Sequence, residues 1–218
     1  MKSVPVLGAL AFALLTSACS TAYYGAMEKV GIHKRDILVD RVEDTRESQQ
    51  EAQETFKSAL EKFGSVVEIK NSDLKQAYES LNDEYENSKE AAEEVSDRID
   101  AVEDVAEDLF EEWADEIEQY NNADLKRSSQ AQLRDTRSRY KEMLTSMRRS
   151  EKSMQPVLTT FHDNVLFLKH NLNAQAIGSL KSEFASLKND IAVLIKQMNQ
   201  SIAQSDEFIA DMRRQQGG

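Results

Sequence analysis

Two neighbouring segments of opposite charge decide the fold. Residues 90–118 read EAAEEVSDRIDAVEDVAEDLFEEWADEIE, and Arg98 is the only basic residue among them. Residues 126–152 read KRSSQAQLRDTRSRYKEMLTSMRRSEK, where basic residues outnumber acidic ones. The stretch between them contains Asn121 and Asn122, and asparagine both caps helices and tolerates the left-handed backbone that ends them. The sequence therefore predicts a hairpin of two charged helices that turns at Asn122.

The charges also predict the direction and register of this hairpin. An antiparallel pair sets residue 118 opposite 126 and residue 92 opposite 152, so that acidic and basic side chains face each other. Parallel helices or one extended rod would leave the acidic segment unpaired. Each exposed ion pair contributes only about 0 to 1 kcal/mol, so the charges select orientation more than they add stability.

Apolar residues recur in steps of four and three along the chain. Four such series run from Leu38 to Phe63, from Leu74 to Trp113, from Thr136 to Leu172 and from Ile177 to Met212. This spacing is typical of long helices that pack along one seam. It predicts an all-α protein, an elongated antiparallel helical bundle or coiled coil of three to four long helices. The number of helices stays open because residues 171–178 fit either a turn between two helices or a bend in one continuous helix.

The N-terminus has the layout of a secretory signal. Lys2 precedes an apolar run over residues 4–15, which is shorter than the roughly twenty residues that span a bilayer. Small residues then lead to Cys19, the only cysteine. We predict that residues 1–18 are a signal peptide of the bacterial lipoprotein type, which the segment resembles, and that Cys19 is acylated. An ordinary cleaved signal is the alternative, although it would leave one odd thiol in an oxidising compartment.

The mature chain is predicted to have two parts, a membrane-proximal linker over residues 19–34 and the bundle over residues 35–218. Aromatic rings suit the headgroup zone of a membrane, and basic side chains suit anionic headgroups. A plain linker is the alternative, because Glu28 and Asp36 dilute the positive charge. The candidate membrane-proximal contacts are Tyr23, Tyr24, Lys29, Lys34 and Arg35.

Composition argues against most catalytic and nucleic-acid-binding functions. The formal net charge of -12 disfavours nucleic acid. One cysteine excludes disulfides within the chain and thiolate metal sites, and His162 and His170 stand about two turns apart on one helix. We therefore predict no enzyme activity, no cofactor, no metal site and no catalytic residues.

The string YYGAMEKVGIHKRDILVDRV, residues 23–42, is too distinctive to be a generic helical repeat. It resembles the opening of an uncharacterised Gram-negative bacterial family of all-helical predicted envelope lipoproteins, a domain of unknown function. The resemblance implies a helical envelope protein and no particular activity.

Together these features predict a lipid-anchored coiled-coil protein that faces the periplasm from the outer membrane. Ser20, directly after the cysteine, is typical of outer-membrane sorting, as opposed to inner-membrane retention by aspartate. The predicted role is structural or protein-interacting, with an unknown envelope partner and a possible homo-oligomer. The alternative is a helical scaffold or chaperone-like module that binds envelope client proteins.

Overall fold

The computed structural model describes residues 33–68 and 74–216, and helices account for almost all of them. The described residues contain no strand, which confirms the all-α prediction. The described part of the chain forms four helices, α1 Lys34–Val67, α2 Leu74–Glu118, α3 Ala123–His170 and α4 Ala174–Gln216. The shortest has 34 residues and the longest 48, so they are about 50 to 70 Å long at about 1.5 Å per residue.

The helices form an antiparallel ring in which each packs on its neighbours in sequence and α1 also packs on α4. Side-chain contacts fix these directions: Lys34 on α1 reaches Glu112 on α2, and Arg46 on α1 reaches Asp206 on α4. We call the end where α1 begins, α2 meets α3 and α4 finishes the near end. The opposite end, where α3 meets α4, is the far end.

The four-three spacing correctly predicts the core. On α1 every position of the predicted series, from Leu38 to Phe63, is buried. The prediction is wrong at Leu172, which lies in the α3–α4 turn and is 45% exposed. Phe208, which the spacing did not select, is buried in the core.

Two asparagines stop and restart the helices at the turns. Asn122 Oδ1 accepts hydrogen bonds from the backbone N–H groups of Asp124 and Leu125, at 2.9 and 3.2 Å. Asn173 Oδ1 accepts from Gln175 and Ala176, both at 3.0 Å. Such bonds satisfy the free amides of a helix start. The segment 171–178 is therefore a turn over residues 171–173 followed by a new helix.

The acidic and basic segments lie side by side as the sequence predicts. Near the α2–α3 turn, Lys126 Nζ is 2.8 Å from Glu118 Oε2, in the expected register. Farther along, Ser96 Oγ donates to Glu151 Oε1 at 2.6 Å, so the register is displaced by about one helical turn from 92 opposite 152. Acidic residues recur at every turn of α2, so charge alone does not distinguish the two registers.

Arg148 is the cation that links the two segments most extensively. Its guanidinium contacts Asp100 at 2.5 Å, Glu103, and Glu151 of its own helix at 3.1 Å. Arg148→Glu is expected to lower the free energy of unfolding by about 1 kcal/mol at low salt, because a fourth carboxylate would join three others. Urea unfolding followed by circular dichroism, at low and high salt, measures the change.

The matched control is Arg149→Glu, which makes the same charge change at the neighbouring, exposed position. We expect a smaller effect there, and a difference between the two variants that shrinks as salt screens the charges. Equal effects of the two reversals at every salt concentration would contradict this role of Arg148.

Candidate functional site

The near end holds two of the predicted membrane-proximal residues. Lys34 Nζ is 2.8 Å from Glu112 Oε2, and the Lys34 side chain is largely covered. The Arg35 guanidinium carbon lies 4.8 Å from the centroid of the Trp113 ring, a distance typical of a cation–π contact. Burial lowers the pKa of Arg35, while the neighbouring Asp36 opposes that shift. Both cations are thus engaged with α2.

The other predicted site residues, Cys19, Tyr23, Tyr24 and Lys29, lie outside the described residues, as does the predicted signal peptide. Lys34 and Arg35 are the first two residues of α1, beside the predicted boundary between linker and bundle. A lipid headgroup would have to compete with Glu112 for Lys34 and with the Trp113 ring for Arg35. The membrane contact of these two residues therefore stays a prediction.

Trp113 on α2 contacts two other helices at the near end. Its indole Nε1 donates to Ser129 Oγ on α3 at 2.9 Å, while its ring meets Arg35 on α1. One side chain therefore joins three helices close to the α2–α3 turn. The adjacent cavity measures about 170 Å³, below the range of small-molecule sites. This arrangement fastens helices together and leaves little room for a ligand.

A second set of polar side chains lines an open groove of about 370 Å³ between α2 and α3. The Tyr85 and His162 rings lie with their centroids 5.0 Å apart. Ser96 and Glu151, which also line the groove, are hydrogen-bonded to each other. Sequence reasoning missed the pairing of Tyr85 with His162, because only the register of the α2–α3 hairpin brings these two distant positions together.

The middle of the bundle contains several buried polar side chains, which lie among apolar ones such as Ile99 and Met147. Gln49 Nε2 on α1 donates to Ser150 Oγ on α3 at 2.9 Å, and both residues are fully buried. Gln49 Oε1 and Ser201 Oγ are buried without a hydrogen-bond partner among the described residues. We call this group the middle polar layer; its buried members are Thr45, Ser48, Gln49, Gln53, Ser146, Ser150, Ser201 and Ser205.

The far end carries exposed apolar side chains. Leu166 and Phe167, on the last two turns of α3, are each 40% exposed, and Leu172 follows in the turn. We call these three residues the far-end patch. All three lie within seven consecutive residues at this end of the bundle.

The described residues offer neither a metal cluster nor a membrane-spanning helix. No three His, Cys, Asp or Glu side chains within residues 33–68 and 74–216 stand close enough to share a metal ion. Over the same ranges, no helix has an apolar stretch long enough to cross a bilayer.

A family model described as a protein of unknown function, DUF2959, matches residues 23–212. No curated protein matches the chain. The match begins in the same string, residues 23–42, that carried the sequence resemblance, and it confirms a family of unknown function. That the family consists of Gram-negative envelope lipoproteins stays a prediction.

Proposed function

The chain belongs to the DUF2959 family of proteins of unknown function, and on that premise we propose that it is a lipid-anchored periplasmic protein with a structural or protein-interaction role in the cell envelope. In this proposal Cys19 carries the lipid on the periplasmic face of the outer membrane. The four-helix bundle extends from that anchor and acts without catalysis.

The observation that carries the proposal is the spacing between Cys19 and the near end. Cys19 lies fourteen residues before His33, and α1 begins directly after His33. Fourteen residues span at most about 50 Å when extended, so a lipid on Cys19 tethers the near end and leaves the far end free to stand farther away. Several acyl chains, at about 0.8 kcal/mol per buried CH₂, suffice for stable anchoring.

The way α1 is held supports a structural role. The helix that would be anchored is tied to α2 by Lys34 and Glu112, and to α4 by two pairs, Arg46–Asp206 at 3.0 Å and Glu43–Arg213 at 2.7 Å. A load applied through the lipid would therefore be shared among three helices. This suits a spacer or a platform that holds partners away from the membrane.

The alternative function, a scaffold or chaperone-like module for envelope clients, draws on a different observation. The middle polar layer contains buried groups without partners among the described residues, and such groups weaken packing locally. A bundle with a weak middle opens more readily than one with a continuous apolar core, and opening would expose apolar surface to a client.

The test of the anchor is Cys19→Ser in the bacterial host, with a fatty-acid label and separation of inner and outer membranes. We expect the wild-type chain to take up the label and to fractionate with the outer membrane. Cys19→Ser is expected to lose all label and to leave the outer-membrane fraction, because serine offers no thiol for acylation. Ser20→Ala is the matched control and should keep both properties.

A second variant tests the sorting part of the proposal separately. Ser20→Asp keeps Cys19, so the label should stay while the chain moves to the inner membrane. Label that persists on Cys19→Ser would contradict the lipid anchor, whereas unchanged outer-membrane fractionation of Ser20→Asp would contradict only the proposed sorting.

A further inference from the structure

The last turns of α3 carry a self-complementary pattern of exposed side chains. Residues 163–170 read DNVLFLKH, and their exposed members are Asp163, Leu166, Phe167, Lys169 and His170. An acid stands at the start, bases stand at the end, and two apolar residues lie at the centre. Asn164, Val165 and Leu168 point into the bundle and are buried.

A groove lies beside this stretch, between α3 and α4. It measures about 440 Å³, and Phe167 and Leu180 provide its apolar lining. Asp163 and Glu183 supply acidic groups at the same groove. The surface thus combines an apolar depression with negative charge, next to the basic end of the same helix.

We propose that a second copy of this chain docks on this surface, with the two α3 helices antiparallel across a two-fold axis between Leu166 and Phe167. About that axis Leu166 meets Phe167 of the other copy, and Asp163 meets its His170. A two-fold interface requires one surface to complement itself. Residues 163–170 do so because the central apolar pair meets its own copy, and because the Asp163 carboxylate can accept a hydrogen bond from the His170 imidazole of the other copy. A parallel pairing would instead set Asp163 against Asp163 and Lys169 against Lys169.

Charge on the rest of the molecule favours contact at this end. The net charge is -12, and the exposed acids of residues 90–118 would repel each other if two bundles packed side by side along α2. The far-end contact overlaps only a few turns of each bundle and keeps those acidic surfaces apart. The two near ends then lie at opposite ends of a dimer about 130 Å long.

The far-end dimer does not depend on the proposed lipid anchor, since no residue of the near end takes part in it. It would give an envelope protein of this kind a defined partner, another copy of itself. With both lipids in one membrane, each near end lies within about 50 Å of it, so the dimer lies along the membrane surface and only an unpaired copy stands away from it.

The proposal is tested with single-cysteine variants of the full chain in host membranes, treated with a short bismaleimide. Leu166→Cys should give a cross-linked species of twice the monomer mass, because this position lies beside the axis. The controls are Val193→Cys on α4 and Leu125→Cys at the near end, where the native side chains are 56% and 55% exposed. Neither control should give a larger cross-linked fraction than the wild-type chain, whose only cysteine is Cys19 and which therefore measures cross-linking through Cys19.

Charge exchange tests the pairing itself in the Leu166→Cys background. Adding Asp163→Lys should lower the cross-linked fraction about fivefold or more, because it removes the carboxylate that pairs with His170 and places a cation beside the basic end of the other helix. Adding His170→Asp as well should restore it, since the new lysine and the new aspartate attract each other across the interface. Circular dichroism of each variant checks that the helices are intact, and these exposed sites leave the buried core unchanged.

Three results would overturn the proposal. Equal cross-linking at Leu125→Cys or Val193→Cys would mean that the contact is parallel or lies elsewhere. A cross-linked product whose mass includes a different protein would mean that another partner occupies the surface. If the cross-linked fraction stayed the same in both charge variants, the proposed pairing of Asp163 with His170 would be wrong.

Discussion

Phe161→Ala is expected to lower the free energy of unfolding by about 3 to 5 kcal/mol, the largest effect that we expect of a single change in this chain. Phe161 is fully buried on α3. Its ring makes edge-to-face contacts with Phe63 on α1, at 6.0 Å between centroids, and with Tyr85 on α2, at 6.1 Å. Truncation would therefore open a cavity where three helices meet.

The surroundings of Phe161 are poorly able to close such a cavity. Phe63 is stacked on Phe184 of α4, with centroids 5.8 Å apart, and is thus held from the other side. Phe184 in turn lies against Gly64, where an added Cβ would come within 3.1 Å of its ring. Because these rings are already in close contact, little relaxation is available and the cost falls in the upper part of the usual range.

Equilibrium urea unfolding followed by circular dichroism measures this loss. Phe167→Ala is the matched control, because it removes the same ring from a nearby position on α3 whose side chain is 40% exposed. Both variants are measured at a concentration where the chain is monomeric, so that loss of the proposed dimer contact does not enter the comparison. We expect less than about 1 kcal/mol for the control, since an exposed ring loses little contact with the core. Similar losses for the two variants would mean that Phe161 is not the centre of this aromatic cluster.

Helix geometry explains why so much of this fold is predictable from sequence. A four-three step puts residues on one face of a helix whatever the neighbouring helices are, so spacing alone predicts Leu38 through Phe63 as core. The charged segments similarly determine which way α3 runs beside α2. The position of Arg148 between Asp100 and Glu103 is the direct result of that pairing.

Periodicity fails where a pattern continues past the end of its helix. Leu172 fits the step from Leu168, but Asn173 caps a new helix and the chain has already turned. The spacing predicts only the helix face on which a residue would lie if the helix continued. Where the helix stops depends on local hydrogen bonds that Asn173 supplies.

The candidate site residues are harder to predict for a related reason. A membrane-proximal role for Lys34 and Arg35 follows from their closeness to Cys19 in sequence, but their contacts with Glu112 and Trp113 depend on how α1 lies against α2. Such long-range contacts follow from the register of packed helices. Sequence spacing on α1 alone contains no such information.

The sequence predicts where the middle polar layer lies, but it does not predict which of its polar atoms form hydrogen bonds. The spacing places Thr45, Gln49 and Ser150 on the seam, and all three are buried. Which of their polar atoms find partners depends on contacts between helices. Gln49 uses its amide N–H for Ser150 and leaves its oxygen unpaired among the described residues, and an unpaired buried oxygen is unfavourable.

We expect Gln49→Met to raise the free energy of unfolding by about 1 to 3 kcal/mol. Methionine has a similar volume and a flexible side chain, so it fills the same space without a buried carbonyl oxygen. Ser150 loses the amide donor but keeps its own hydrogen bond, because its hydroxyl donates to the Met147 carbonyl at 2.8 Å. Urea unfolding of the variant beside the wild-type chain measures the gain.

Two further variants separate removal of the unpaired oxygen from a general effect of apolar residues. Gln53→Met changes a second glutamine of the same layer, whose amide donates to Asn199 Oδ1 at 3.0 Å, and water can reach the exposed Asn199. We expect a change near zero there. Gln49→Ala should instead lower stability by about 2 kcal/mol, because it removes the oxygen but leaves a cavity. If Gln49→Met destabilised the chain as much as Gln49→Ala, the glutamine side chain would be stabilising despite its buried oxygen. The middle polar layer would then strengthen the bundle, which would contradict the prediction.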